Sequence, residues 1–199
     1  MWVKICGCRT PEGVRAAIEA GADAVGFVLA ESRRRVGIEL ARELRRLVPD
    51  GVAAVGVVHA PSLARIALLR RELALDWLQV SGRLPAGDLG LPILRTVYLG
   101  GGQRLPPGRL PRGDLLHLDR RRPGALGGTG QRVDEAAARR LCERREAVLA
   151  GGLDPLSVGG AIRAVRPFGV DVASGVETGG MQDPALIRRF VEAAREAGA

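Results

Sequence analysis

Short apolar runs recur eight times along this chain, and most of the gaps between them hold one amphipathic helix. That alternation constrains the fold more than any other feature, because strands separated by helices pair in parallel through crossovers. The runs are Val3–Cys6, Ala24–Leu29, Ala53–Val58, Trp77–Val80, Ile93–Val97, Leu115–Leu118, Ala147–Ala150 and Val170–Ala173. Apolar residues at helical spacing predict helices over Pro11–Ala20, Glu39–Leu47, Leu63–Leu73, Asp134–Arg144, Pro155–Val165 and Pro184–Ala197. Thr10-Pro11, Ser62, Asp154-Pro155 and Asp183-Pro184 are their start signals. Ser81–Gly90 and Gly100–Gly113 carry too much Gly and Pro for good helices, so the fourth and fifth helices are expected to be reduced or irregular.

Eight such units in one chain imply closure. The expected architecture is α/β, a compact single-domain (β/α)8 TIM barrel over residues 1–199, short for its kind because of the eroded helices. Aromatics are 3% of the chain, so Val, Leu, Ile and Ala are left to fill the core, as they usually fill a barrel interior. Gly21-Ala22-Asp23 and Gly169-Val170-Asp171 give the second and eighth strands a shared Gly-x-Asp start, a hint of internal repetition.

Charge and cysteine content narrow the function. The formal charge of +8 points to an anionic partner, either nucleic acid or a phosphorylated metabolite. The six aromatics are not interleaved with the cations, which argues against nucleic acid. No apolar run is long enough to span a membrane, and no signal peptide is visible. Three cysteines do not make a disulfide framework, and a reducing cytoplasm is expected.

In a barrel the chemistry sits where strands end at their C-terminal side. Cys6 ends the first strand and is followed at once by Gly7. A thiol there is a base or nucleophile if its pKa is lowered, and otherwise a packed core cysteine. Lys4, the only lysine among 30 basic residues, lies two residues earlier on the same strand face, where it would favour the thiolate. Cys8 makes a Cys-x-Cys, too little for a metal site. Asp119 ends the sixth strand and precedes Arg120–Arg122, which either hold it ionised or bind an anion. Gly127-Gly128-Thr129-Gly130 offers bare backbone N–H groups to phosphate. Gly151-Gly152 and Ser174-Gly175 follow the seventh and eighth strands, where barrels often bind phosphate. Ser32-Arg33-Arg34-Arg35 follows the second strand, and a guanidinium pairs with carboxylate or phosphate. His59 and His117 show no acid or serine partner and do not read as catalytic.

Together these blocks resemble the phosphoribosylanthranilate isomerase family. The likeness runs from Val3 to Phe190 through Val3–Gly7, Gly21–Val28, Ser32–Arg34, Gly127–Gly130, Leu149–Leu153 and Val170–Glu177, in the family's order. The resemblance implies an Amadori rearrangement of a phosphoribosylated anthranilate in tryptophan biosynthesis, with no cofactor and no metal. It implies Cys6 as general base and Asp119 as general acid, with Arg34 on the substrate carboxylate. Lys4 and Gln79 join the substrate-binding set. Phosphate is expected at Gly128, Gly130, Gly152, Ser174 and Gly175. The partner is a phosphorylated small molecule, and the chain is expected to be a monomer or homodimer. The chain departs from the family at Ser81, where His is usual, at His59-Ala60, where Asn is usual, and at Gln182, where Lys is usual. The alternative is a barrel isomerase for the related histidine-pathway aldose, or for both substrates; the histidine-pathway enzymes place Asp where Cys6 stands and bind a second phosphate.

Overall fold

The computed structural model describes residues 1–99, 114–120 and 133–199. Eight parallel strands close into a barrel in sequence order: β1 (Trp2–Cys6), β2 (Ala24–Val28), β3 (Ala53–His59), β4 (Trp77–Ser81), β5 (Ile93–Tyr98), β6 (Leu115–Asp119), β7 (Ala147–Leu149) and β8 (Gly169–Val172). The seam between β8 and β1 pairs Lys4 with Asp171 and Ile5 with Val172. The described residues form six α-helices: α1 (Pro11–Glu19), α2 (Ile38–Arg45), α3 (Leu63–Leu73), α4 (Glu135–Cys142), α5 (Val158–Val165) and α6 (Pro184–Ala197). Thr10, Ser62, Asp134 and Asp183 cap α1, α3, α4 and α6 by accepting backbone N–H bonds near their starts.

The expected architecture is borne out, with shifts at the edges. No helix forms between β4 and β5. The expected fifth-helix segment, Gly100–Gly113, lies outside the described residues. The Asp154 carboxylate accepts from the N–H groups of Leu156 and Ser157 as a start signal would, but the chain runs through hydrogen-bonded turns first and α5 begins three residues later than expected. Beyond β8, a 3-10 turn (Ser174–Val176) leads into a small hairpin, β9 (Glu177–Thr178) and β10 (Met181–Gln182), which the sequence did not suggest. The two Gly-x-Asp starts are not equivalent. Asp23 precedes β2 and accepts from the N–H of Val3, whereas Asp171 lies within β8.

Side chains alternate along each strand, so one set faces the helices and the other the barrel's inside. Val3, Ile5, Val25, Phe27, Leu78, Leu116, Leu118, Leu149 and Val170 join Val14, Leu44, Leu69, Ile187 and Phe190 of the helices in one continuous core. Burial of that layer is the main source of stability. The inside differs from the expected aliphatic filling. In register, Lys4, Cys6, Gln79, Thr96, His117, Asp119 and Asp171 share the inner face with small or aliphatic residues such as Gly26, Val55 and Val148. The barrel's middle is therefore polar and charged.

Candidate active site

A pocket opens at the C-terminal ends of the strands. Its floor is formed by Cys6, Gln79, His117, Asp119 and Asp171, and its walls by Ser32 and Arg34 on one side and Gly152 and Ser174 on the other. Strand ends supply the floor because alternate residues of β1, β4, β6 and β8 point inward there. Room for the thiol comes from Gly26, its register partner on β2. A Cβ on Gly26 would lie 2.8 Å from Cys6 Sγ and 3.1 Å from Lys4 Cε, which also shows that these two side chains stack on the same inner face.

Beneath the pocket lies a chain of hydrogen bonds. The Lys4 ammonium donates to Asp171 Oδ1 at 2.9 Å, and His117 Nε2 donates to Asp171 Oδ2 at 2.8 Å. His117 Nδ1 lies 3.5 Å from both the Gln79 amide nitrogen and the Thr96 hydroxyl. Lys4 is fully buried. Burial alone would discharge it, but Asp171 and Cys6 outweigh that and hold its pKa above the ordinary value. Burial likewise works against the Asp171 charge, yet Lys4 and His117 keep that carboxyl below the usual range.

Cys6 and Asp119 are tuned by the same surroundings. Burial pushes the Cys6 thiol up, while Lys4 and Arg34 pull it back and Asp171 adds to the rise. Burial also pushes the Asp119 carboxyl up, against the pull of His117, the backbone N–H of Arg120 and Lys4. That N–H donates to Asp119 Oδ1 at 2.7 Å. A carboxyl that holds its proton more tightly than usual can donate one, and a thiolate beside an ammonium can accept one. Cys8 lies elsewhere: it packs in the outer core, donates to the Ile5 carbonyl, and burial pushes its thiol up to about 12.

Arg34 is the buried member of the arginine run. Its Nε and Nη2 hold Glu177 at 2.5 and 2.8 Å, while the exposed Arg33 reaches the same carboxylate at 3.1 Å. Glu177 begins the β9–β10 hairpin, and Gln182 at its far side donates to the carbonyls of Gly7 (2.6 Å) and Cys6 (3.4 Å). The hairpin thus braces both the arginine and the turn after the cysteine.

Gly151 and Gly152 adopt positive φ after β7, where a side chain is disfavoured. Gly152 and Ser174 line the pocket. Gly175 is pressed against the Leu153 carbonyl, 1.9 Å from where its Cβ would be. Gly128 and Gly130 lie outside the described residues.

Two histidines have the partners that the sequence did not disclose. His117 pairs with Asp171, and His59 pairs with Ser81 (Nδ1 to Oγ, 3.0 Å) at the pocket's edge. Asp171, His117 and Glu177 were missed as site residues. Inward register with Lys4 was the available signal for Asp171, and it requires knowing that the barrel closes. For Glu177 no signal preceded the hairpin.

A closed (β/α)8 barrel with a thiol and a carboxyl at its C-terminal mouth, and glycine turns after β7 and β8, is an enzyme of the acid–base, phosphate-ligand class. Comparison with known proteins narrows this. The sequence model described as N-(5'phosphoribosyl)anthranilate (PRA) isomerase matches residues 3–193, and the chain belongs to that family. It is 40% identical over 200 residues to the N-(5'-phosphoribosyl)anthranilate isomerase of Desulforudis audaxviator, covering 98% of each chain. The crystal structure of phosphoribosyl anthranilate isomerase from Thermus thermophilus superposes with a TM-score of 0.86 at 33% identity, covering 98% of this chain and 99% of that one. A further structure, of a phosphoribosyl anthranilate isomerase in complex with reduced 1-(o-carboxyphenylamino)-1-deoxyribulose 5-phosphate, superposes with a TM-score of 0.81 at 29% identity, with 98% and 99% covered.

Proposed function

We propose that this chain catalyses the isomerisation of N-(5-phosphoribosyl)anthranilate to 1-(2-carboxyphenylamino)-1-deoxyribulose 5-phosphate, a step of tryptophan biosynthesis. The observation that carries the residue assignment is that Cys6 and Asp119, on strands far apart in sequence, floor one pocket. Asp119 protonates the ribose ring oxygen, the C1–O bond breaks, and the anthranilate nitrogen takes up the electron deficiency as an iminium. The Cys6 thiolate removes the proton from C2, giving an enolamine. Protonation at C1 and loss of the C2 hydroxyl proton complete the ketose, so no redox partner or metal enters the balance.

Arg34 binds the anthranilate carboxylate. Its Nε and Nη2 are engaged by Glu177, which holds the guanidinium plane and leaves Nη1 for substrate. Gln79 Oε1 is buried without a partner among the described residues and accepts from a sugar hydroxyl. Phosphate is held at the turns of Gly152, Ser174 and Gly175, and the resemblance adds Gly128 and Gly130, which lie outside the described residues. Lys4, fully buried and paired with Asp171, acts on the substrate through Cys6 rather than by contact.

The test is turnover of freshly made N-(5-phosphoribosyl)anthranilate, followed by loss of anthranilate fluorescence. Cys6→Ser and Asp119→Asn are each expected to lose about 10³-fold in kcat. A folded wild-type protein inert on this substrate but active on the histidine-pathway aldose would overturn the reading.

A further inference from the structure

Asp171 divides its two oxygens between two donors, Lys4 on Oδ1 and His117 on Oδ2. We propose that His117 is a positioning residue for this reaction: by holding Oδ2 it leaves the Lys4 ammonium shared between Asp171 and the Cys6 sulfur, and so sets how readily Cys6 acts as a base. The inference rests on the assignment of Cys6 and Asp119 above.

An ammonium has three donors in a compact head. One is spent on Asp171 Oδ1, and the Lys4 side chain runs beside Cys6 on the same inner face, both bordering the space at Gly26, where its charge attracts the thiolate. The groups bearing on Cys6 are Lys4 on its own strand, Asp171 on β8, Arg34 after β2, and Cys8. His117 and Asp119 floor the same pocket from β6. Of these, Lys4 pulls hardest towards the thiolate. Removing His117 would leave Oδ2 an unpaired anionic oxygen in the barrel's interior, where such atoms are costly. Lys4 is the cation already in contact with that carboxylate, so it would be drawn further onto Asp171 and away from sulfur. The histidine is itself held from the other side by Gln79 and Thr96, so it does not simply follow Asp171.

This has a signature that ordinary loss of packing lacks. The working form, thiolate with protonated Asp119, carries the same charge as thiol with carboxylate. Thiols are ordinarily weaker acids than carboxyls by about five units, and burial raises both groups here. Where that order holds, the working form is a minor tautomer. A profile of kcat/KM against pH has a plateau whose height falls tenfold for each unit by which Cys6 holds its proton more tightly, and its alkaline limb moves up by that same unit.

The experiment measures kcat/KM against pH for wild type, His117→Leu and His117→Gln, with Cys6→Ser alongside. His117→Leu is expected to lower the plateau about tenfold to hundredfold and to move the alkaline limb up by about one to two pH units. His117→Gln, whose amide nitrogen reaches towards Oδ2, is expected to restore most of both. His117→Asn, polar but too short for Oδ2, carries the same expectation as Leu should the Leu variant fail to fold. Titration of the thiolate ultraviolet absorbance, taken as wild type minus Cys6→Ser, is expected to move in parallel without substrate. A lowered plateau with an unmoved limb overturns the inference and leaves the base assignment standing. Full activity in Cys6→Ser overturns the base assignment, and the inference with it.

Discussion

Lys4 and Asp171 are register partners across the seam that closes the barrel, and their side chains meet inside it with Nζ and Oδ1 2.9 Å apart. A buried ion pair is not a net source of stability by default, because both charges have lost water. Once formed, it cannot be halved cheaply.

Lys4→Met leaves an anion in the interior beside a single donor. It is expected to cost about 3–5 kcal/mol in urea denaturation, whereas Lys4→Met with Asp171→Leu recovers much of that. The pH dependence follows from the two shifts. Asp171 is held below its ordinary value, so its contribution is present above the usual carboxylate range and is lost as pH falls through the depressed native value. Lys4 is held above its ordinary value, so its contribution is complete below the usual ammonium range and is lost only as pH rises through the raised native value. Stability carried by this pair is therefore expected to be flat across neutral pH and to fall at the acid end. A double variant no more stable than Lys4→Met would contradict the account.

Asp119 works in the opposite sense. Its native carboxyl holds its proton more tightly than the unfolded chain does, so its contribution favours folding at acid pH and is lost as pH rises through the raised value. Asp119→Asn removes that pH-dependent loss. Thermal melts are expected to show the variant more stable than wild type at neutral pH by about 1 kcal/mol, about 3 °C, and no more stable at acid pH, while its turnover collapses. Equal melting temperatures at neutral pH would show that the buried carboxyl costs the fold nothing.

The hairpin that clamps Arg34 gives a split between binding and rate. Glu177 fixes the guanidinium through two parallel bonds. Arg34→Lys keeps the charge and loses the planar fork, and Glu177→Ala keeps the fork and frees it to wander. Both are expected to raise KM about tenfold or more with a smaller change in kcat, read from steady-state kinetics. A fall in kcat alone would place Arg34 nearer the chemistry than its position at the wall implies.

What could be read in advance depended on range. Strand and helix positions come from local periodicity, and the barrel follows because eight parallel units must close. Cys6, Asp119 and the glycine turns after β7 and β8 could be located because each stands at or just past a strand's end, a place that sequence spacing locates, whereas Arg34 lies six residues beyond β2 and was singled out from its run only by the resemblance. Asp171 and His117 were not, because their meaning lies in facing each other across the barrel from β8 and β6, 54 residues apart. A mid-strand histidine looks like packing until closure turns it inward. The aliphatic interior was misjudged for the same reason: most of the branched strand residues face the helices, and those inside, such as Val55 and Val148, share the face with the polar set. The β9–β10 hairpin is two residues on each side, too short for any periodic pattern.

Two glycines separate the site's shape from the fold's. Gly26 has no unusual backbone conformation, and what it provides is space: a methyl group there would sit 2.8 Å from Cys6 Sγ and 3.1 Å from Lys4 Cε. Both are ends of side chains that can yield, so Gly26→Ala is expected to cost about 1–3 kcal/mol and to displace the thiol, lowering kcat well beyond what that instability explains. At Gly175 the methyl would lie 1.9 Å from the Leu153 carbonyl oxygen, which is backbone and cannot rotate aside. Gly175→Ala must move the whole turn after β8 away from the one after β7, so it is expected to be the more destabilising of the two and to raise KM through the phosphate. Denaturation and steady-state kinetics on both variants check the pair. If Gly26→Ala turns over like wild type, the thiol does not need the position it holds here, and the case for Cys6 as the base weakens with it.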